Sequence, residues 1–402
     1  MHADATAPLA GRRLWFAGIG GAGLSAYAVL AGAWGADVAG WDRYETLYLR
    51  HVRAAGIPVT VSADPEAPGD RQVVVSTAFA GQVDGTPRAA FLAELVALRP
   101  AIVVTGAHGK TTTAAMIAFC LDRLGLDPAF LIGGEVPQLG GNAGTGEGWL
   151  VVEGDESDRS VFALAPEIAV VTNVELDHHT TFASLAELRA ELERWLESVP
   201  KVVRGDTLPP VELELAIPGE HNRRNAAAAL AAADLATGRG ADAASALSEF
   251  RGVGRRFEPK GEAGGVRVFD DYAHHPTEIA ATLAAARAVA DGGRVVALFQ
   301  PHLYSRTLHL ATEFASALAA ADVAVVTEIY PAREAPWPGV TGKLVVDRLA
   351  EARPGMRIGW APTLDDAGRL AASEARAGDV VLTIGAGDVD SAAQRILELV
   401  SA

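Results

Sequence analysis

The chain predicts an α/β fold with parallel sheets, on three observations. Short β-branched runs alternate with longer, Ala-rich amphipathic segments along almost its whole length. Two of those runs break into glycine-bounded turns that open helices, at Gly18–Gly23 and Gly106–Thr112. Several others end in clusters of carboxylates and histidines, the place where open α/β sheets bind ligands. Candidate strands are Leu14–Gly18, Asp37–Trp41, Val73–Thr77, Ile102–Thr105, Leu150–Glu153, Ile168–Thr172, Val266–Phe269, Val295–Phe299, Val323–Thr327 and Val380–Ile384. Seams near Leu98-Arg99-Pro100 and Phe257-Glu258-Pro259-Lys260 divide the chain into units 1–98, 99–258 and 259–402.

Composition narrows the class. The 402 residues are 50% hydrophobic and 21% charged, as in ordinary globular proteins. A net charge of −16 argues against nucleic acid or an anionic membrane as a partner. Cys120 is the only cysteine, which leaves no disulfide framework and no cysteine metal site. No basic-then-apolar leader opens the sequence and no apolar run is long enough to span a bilayer, so the expectation is a cytoplasmic protein. Lysine occurs only at positions 110, 201, 260 and 343.

In the first unit, Gly18-Ile-Gly20-Gly21-Ala-Gly23 follows a strand and precedes a helix, with Asp42 ending the next strand. Such a loop admits a pyrophosphate at a helix N-terminus. It fits NAD or a nucleotide-sugar diphosphate equally, and a tight packing turn is the structural alternative.

The second unit opens with Thr105-Gly106-Ala107-His108-Gly109-Lys110-Thr111-Thr112, a shortened phosphate loop. Backbone N–H groups and the helix start face an anion, Lys110 neutralises phosphate, and the Thr111 hydroxyl suits Mg²⁺. Glu153-Gly-Asp155-Glu156-Ser-Asp158 ends one strand and Asn173-Val-Glu175-Leu-Asp177-His178-His179 another. Each reads as a Mg²⁺–nucleotide site or, alone, as a solvated acidic turn. His221 and Asn225 lie one turn apart on an Ala-rich helix and offer hydrogen bonds to a purine. Arg255 and Arg256 stand at the second seam, where a guanidinium reaches a γ-phosphate or forms a surface ion pair.

The third unit starts with Asp270-Asp271-Tyr272-Ala-His274-His275-Pro276-Thr-Glu278, with Pro276 suited to a first helical turn. A second rich turn, Gln300-Pro-His302-Leu303-Tyr304-Ser-Arg306, follows the next strand. In a parallel sheet both emerge at one edge, which brings His274, His275, His302 and Arg306 to one cleft.

Read in order, these motifs and the late Gly385-Ala-Gly387-Asp388 resemble the Mur ligases over the whole length, and within them the branch that adds L-alanine. The resemblance implies three domains: a Rossmann-like UDP-binding domain, a P-loop central domain that binds Mg·ATP, and a Rossmann-like C-terminal domain for the amino acid. It implies an ATP-dependent ligase joining L-alanine to the carboxylate of UDP-N-acetylmuramate through an acyl phosphate, as a monomer or homodimer. A ligase recycling murein tripeptide is the nearest alternative, and an NAD-dependent oxidoreductase belongs to another class.

Carried over by position, Gly18, Gly20, Gly21, Gly23, Leu24, Ser25 and Asp42 would hold the sugar nucleotide. Gly106 through Thr112 would cradle ATP, with Thr111, Glu153 and His178 at Mg²⁺. His221 and Asn225 would face adenine, and Arg256 and Asp271 would close on ATP. Tyr272, His274, His275, His302 and Arg306 would line the amino-acid site; Lys110, His178, Arg256, His274 and His275 would act in catalysis. The chain departs from the family pattern at Ala107, Gly154 and Leu303, the last standing where relatives carry Arg. It is also several tens of residues short between Trp195 and Pro218, and no lysine lies between Lys110 and Lys201 to match the carbamylated lysine of some sibling ligases.

Overall fold

A computed structural model describes residues 7–176, 181–332 and 334–401. The chain folds as two compact units, one made of residues up to 215 together with 223–251, the other of 216–222 together with 252 onward.

The first unit carries two sheets. The first contains β1 (Arg13–Ala17), β2 (Asp37–Asp42), β3 (Val59–Val61), β4 (Gln72–Val75) and β5 (Thr86–Pro87), all parallel, in the order β3-β2-β1-β4-β5. Chain order reverses across β1 and β4, so the loops after these strands flank a crevice. The second contains β6 (Ala101–Thr105), β7 (Ala129–Val136), β8 (Gly141–Thr145), β9 (Leu150–Glu153), β10 (Ile168–Val171) and β11 (Lys201–Arg204), ordered β11-β10-β6-β9-β7-β8. Only β8 runs antiparallel. Central β6 is buried at every residue, as a strand covered on both faces must be.

One apolar cluster joins the two sheets: Leu14, Phe16, Leu30 and Phe91 from the first share it with Val103, Val152 and Trp195 from the second. The Asn142 amide also donates to Ala22 O at 3.3 Å across the same junction. The seam at 98–100 therefore lies inside a single packed unit. A core shared by two sheets leaves no trace in the order of motifs. Cys120, on the helix Lys110–Arg123, is fully buried, its thiol 3.5 Å from Ala243 O.

The second unit is a six-stranded sheet of β12 (Glu258–Ala263), β13 (Val266–Asp271), β14 (Val295–Phe299), β15 (Val323–Val326), β16 (Arg357–Trp360) and β17 (Val380–Ile384), ordered β12-β13-β17-β14-β15-β16. Only β12 is antiparallel. Separate apolar clusters cover its two faces, one around Leu283, Phe299 and Phe314, the other around Val268, Leu298 and Ile396.

All ten sequence-read strands form. The seven others, β3, β5, β7, β8, β11, β12 and β16, lack a long β-branched run, and most lie at or next to a sheet edge. From β11 the chain reaches the helix Glu220–Thr237 through one 3₁₀ turn, Gly205–Thr207, and an irregular stretch 208–219. Among these residues no further strand extends the sheet.

Candidate active site

The first glycine loop leaves β1 with Gly18 in the left-handed region (φ +86°), where a Cβ would collide with Ser76 and Phe79. Its own amides are consumed internally. Gly18 and Ile19 donate to Trp41 O at 2.8 and 3.1 Å, and Gly21 donates to Gly18 O at 3.1 Å. Gly20 donates to buried Asp42 at 2.8 Å. Asp42 thus braces the loop, its other oxygen taking Tyr44 N at 3.2 Å.

The amides of Ala22, Gly23 and Leu24, the first turn of the helix Ala22–Ala33, have no acceptor within the helix and are the ones an anion would meet. The Leu24 side chain lies in the core, and Ser25 is buried with its hydroxyl on Ala22 O. Arg88, which no motif had flagged, brings its guanidinium to about the position a Cβ on Gly23 would touch (3.2 Å) and pairs with Asp158 at 3.4 Å. A cavity of about 160 Å³ lies between this helix start and the second sheet, lined by Gly23, Tyr27, Arg88, Lys110, Glu153 and Asp155 among others. Burial pushes the Tyr27 phenol up to about 12.

The second loop follows the same plan with a different charge. Because β9 and β10 flank β6, the sequence clusters ending those strands converge on Gly106–Thr112. Gly106 (φ +128°) backs onto Thr172 and Asn173, and Gly109 (φ +81°) onto the Asn225 carboxamide. Asn173 grips the turn, accepting His108 N at 3.0 Å and donating to His108 O at 2.7 Å. The His108 ring meets Glu175 at 3.2 Å.

Thr111 Oγ1 donates to Glu153 Oε2 at 3.2 Å, while Glu153 Oε1 accepts Gly133 N at 2.6 Å. A hydroxyl and a carboxylate oxygen this close are hard donors of the kind Mg²⁺ takes. Lys110 is held by Gly106 O at 2.6 Å and by both oxygens of buried Glu156 at 3.2 Å. Burial works against its charge, but Glu156, then Asp155, outweigh that and lift its pKa above the ordinary lysine value. His178, expected at the metal, lies outside the described residues, as do Asp177, His179 and Thr180.

In the second unit, the two arginines of the seam divide their work. Arg255 is a staple: its guanidinium donates to Gly385 O and Gly387 O at 2.8 Å each and to Asp270 at 3.1 Å. Arg256 stands over the Tyr272 ring at 5.3 Å, with Glu278 at 4.0 Å. The turn bearing them holds Arg255 and Phe257 at positive φ. Asp271 secures it by accepting Phe257 N and Ala273 N at 2.8 Å each. Burial raises the Asp271 carboxyl to about 6, against the pull of Arg256. His221 packs on Gly219, and burial followed by the Arg256 charge lowers its pKa.

The loops after β13 and β14 meet as the sheet order requires, one strand apart across β17. The Tyr272 and His274 rings lie 5.6 Å apart, and those of His274 and His302 6.1 Å apart. His302 stacks on Tyr330 at 5.8 Å and touches Arg306 at 3.4 Å. Burial, then the charges of His274 and Arg306, push the His302 imidazole down to about 4, so it is neutral at pH 7. His275 caps the helix Pro276–Ala290 in a reciprocal box with Glu278. Leu303 sits at φ +69°, a left-handed position uncommon for a γ-branched residue. Tyr330 had no role in the sequence reading, and Glu278 was given none of its own, although its place two residues past His-Pro is a local signal for a capping-box partner.

A phosphate loop ringed by strand-end carboxylates on a mostly parallel sheet defines the class, a nucleotide-binding α/β protein. Residues 104–207 match the Mur ligase middle domain and residues 255–387 the domain described as Mur ligase, glutamate ligase domain. A UDP-N-acetylmuramate–L-alanine ligase of Acidothermus cellulolyticus is 40% identical over 443 residues, spanning 93% of this chain and 92% of that protein. The chain belongs to the Mur ligase family.

Among solved structures, a UDP-N-acetylmuramate–alanine ligase from Thermotoga maritima superposes with a TM-score of 0.80 at 29% identity, covering 96% of this chain and 98% of that one. A murein peptide ligase from Psychrobacter arcticus gives 0.63 at 25% identity, covering 97% and 99%. The Acidothermus alignment runs over 443 positions against the 402 residues of this chain.

Proposed function

We propose that this chain is an ATP-dependent ligase that joins L-alanine to the carboxylate of UDP-N-acetylmuramate, in peptidoglycan precursor synthesis. The observation that carries the reading is a lysine-bearing phosphate loop ringed by strand-end carboxylates, in a chain 40% identical over nearly its full length to an enzyme of that name. The closer superposition on the alanine ligase favours alanine over murein tripeptide as the amine donor. An oxidoreductase would leave the Gly106–Thr112 loop without a purpose.

In the proposed reaction the muramyl carboxylate attacks the γ-phosphorus of ATP, and ADP leaves. The alanine amine then attacks the acyl carbon of the resulting acyl phosphate, loses a proton and expels phosphate. Positioning and charge neutralisation supply most of the catalysis. Lys110 and the amides opening the Lys110–Arg123 helix would take the phosphates, with Asn225 against the loop. Arg256, His221 and Asp271 are also proposed to contact ATP. Thr111 and Glu153 would hold Mg²⁺, which supplies charge neutralisation at the phosphates when bound; His178 is proposed as the third ligand.

The first-turn amides of Ala22–Leu24, together with Arg88, would receive the diphosphate of the sugar nucleotide. Tyr272, His274, His275, His302 and Arg306 would surround alanine, with Arg306 on its carboxylate. Nucleotide substrates make the cytoplasm the proposed compartment, with the protein as a monomer or homodimer. Among the described residues no helix is long and apolar enough to cross a membrane.

The test is phosphate release from ATP with Mg²⁺. Release that needs both UDP-N-acetylmuramate and L-alanine, with a product of matching mass, is the expected result. Release with the tripeptide alone would move the chain to the recycling reaction, and release without any sugar nucleotide would refute both.

A further inference from the structure

A lysine ammonium buried at a phosphate loop needs something to hold both its charge and its direction. In this chain Glu156 is the carboxylate hydrogen-bonded to it. Glu156 is 6% exposed and reaches Lys110 Nζ with both oxygens at 3.2 Å. It is itself steadied by the fully buried Thr105 hydroxyl, 3.3 Å from Oε2. Lys110 also donates to Gly106 O at 2.6 Å.

An ammonium has three N–H donors. Gly106 O at 2.6 Å and the two Glu156 oxygens at 3.2 Å each lie within reach of those donors, so a phosphate would share the ammonium with the carboxylate. The elements agree with this arrangement. Gly106 lies just past the end of β6 and Glu156 just past the end of β9, its parallel neighbour, so the two acceptors sit at the carboxyl edge of one sheet, where the helix start opens.

Glu156 therefore differs from Glu153, three residues earlier, which faces Thr111 and Gly133 instead of the ammonium. We propose that Glu156 is a positioning residue for ATP: together with Gly106 O it fixes the Lys110 ammonium at the mouth of the loop, where the phosphates would meet it. The proposal rests on the nucleotide-binding reading of the Gly106–Thr112 loop.

The sign of the effect separates this role from its rivals. A carboxylate that stood near the phosphates as a bystander would repel them, so removing its charge would tighten ATP binding. A carboxylate that merely competed for Lys110 in the empty site would do the same. A positioning carboxylate gives the opposite result: Glu156→Gln loses affinity because the lysine is no longer held.

The experiment is calorimetric titration of ATP, without metal and with Mg²⁺, into the wild type, Glu156→Gln, Glu156→Asp, Lys110→Met and the Lys110→Met/Glu156→Gln double variant. Steady-state KM values for ATP and for UDP-N-acetylmuramate accompany it, and melting curves establish that each variant folds. Glu156→Gln is expected to weaken ATP about tenfold and to raise its KM similarly, with the KM for the sugar nucleotide within about twofold of wild type. Glu156→Asp, which keeps the charge on a shorter arm, is expected to recover part of that loss. In the Lys110→Met background the Gln substitution is expected to cost nothing further.

Equal or tighter ATP binding by Glu156→Gln would overturn the proposal, and so would an undiminished loss in the Lys110→Met background. If Glu156→Gln fails to fold, Glu156→Asp decides: unchanged ATP binding with a lower melting temperature would mean a purely structural ion pair. Failure of the wild type to bind ATP would instead bring down the nucleotide reading itself, and this proposal with it.

Discussion

The two glycine loops of the first unit share one backbone device and differ in the anion each is proposed to hold. Each follows a central parallel strand, places glycine at positive φ where side chains crowd it, and opens a helix. Each is braced by one polar side chain that occupies a loop amide: Asp42 on Gly20, and Asn173 on His108. They differ in the source of positive charge. The second loop carries its own cation, Lys110, while the first carries none and borrows Arg88 from the helix Arg88–Ala97. A diester diphosphate bears less charge than a triphosphate. A helix start with one adjacent guanidinium suits the former; the lysine, with Thr111 and Glu153 placed for a cation, suits the latter.

Substitutions that strip one loop and spare the other break this comparison most directly. Lys110→Ala should reduce phosphate release by about a thousandfold or more, while binding of UDP-N-acetylmuramate by calorimetry stays within a few-fold. Equal loss of both would mean the loops are not independent. Next in size, Arg88→Ala should raise the KM for the sugar nucleotide about tenfold and leave that for ATP unchanged. A shift in the ATP value instead would place Arg88 with the second loop. Gly18→Ala forces a side chain into Ser76 and Phe79 at a left-handed position and should cost about 1–3 kcal/mol of stability, read from denaturant midpoints.

The smallest effects concern the second unit, where two buried groups titrate in opposite senses. Asp271 is raised from 3.8 to about 6, chiefly by burial, so the folded state holds a proton the unfolded chain gives up. Its contribution to stability is full below about pH 4 and fades as pH rises through 6. His302 is lowered from 6.5 to about 4, again chiefly by burial; its contribution is full above pH 6.5 and is lost as pH falls through 4. The two slopes offset each other in the wild type between pH 4 and 6. Asp271→Asn should make stability climb with pH over that window, and His302→Gln should make it fall. Melting temperatures of the two variants from pH 4 to 6.5 check this, and parallel profiles would refute the opposed assignment.

Much of this was legible in residue order, because parallel sheets announce themselves. Covered on both faces, β6, β14 and β17 are buried throughout and almost wholly apolar, and the polar residues that follow them must lie at one edge. That logic located Lys110, Glu153, His274, His302 and Arg306. It was silent on Arg88 and Tyr330, which act from neighbouring strands and helices with no local pattern of their own. Nor did it show that Asp42 takes the Gly20 amide, a contact between residues 22 apart. The polar edge strand β12 was missed because nothing in Glu-Pro-Lys-Gly-Glu-Ala favours extension; pairing with β13 imposes it.

Cys120 gives the first unit a built-in clock. Its thiol is sealed between the phosphate-loop helix and the helix Gly240–Leu247, and burial lifts its pKa to about 12, so the native chain offers no thiolate to an alkylating reagent. As the chain holds a single cysteine, every labelling event reports one opening of that helix pair. Ligands that grip the loop at Gly106–Thr112 should slow the labelling in proportion to their occupancy. A mass spectrometer and a thiol reagent would then rank nucleotides without any turnover at all.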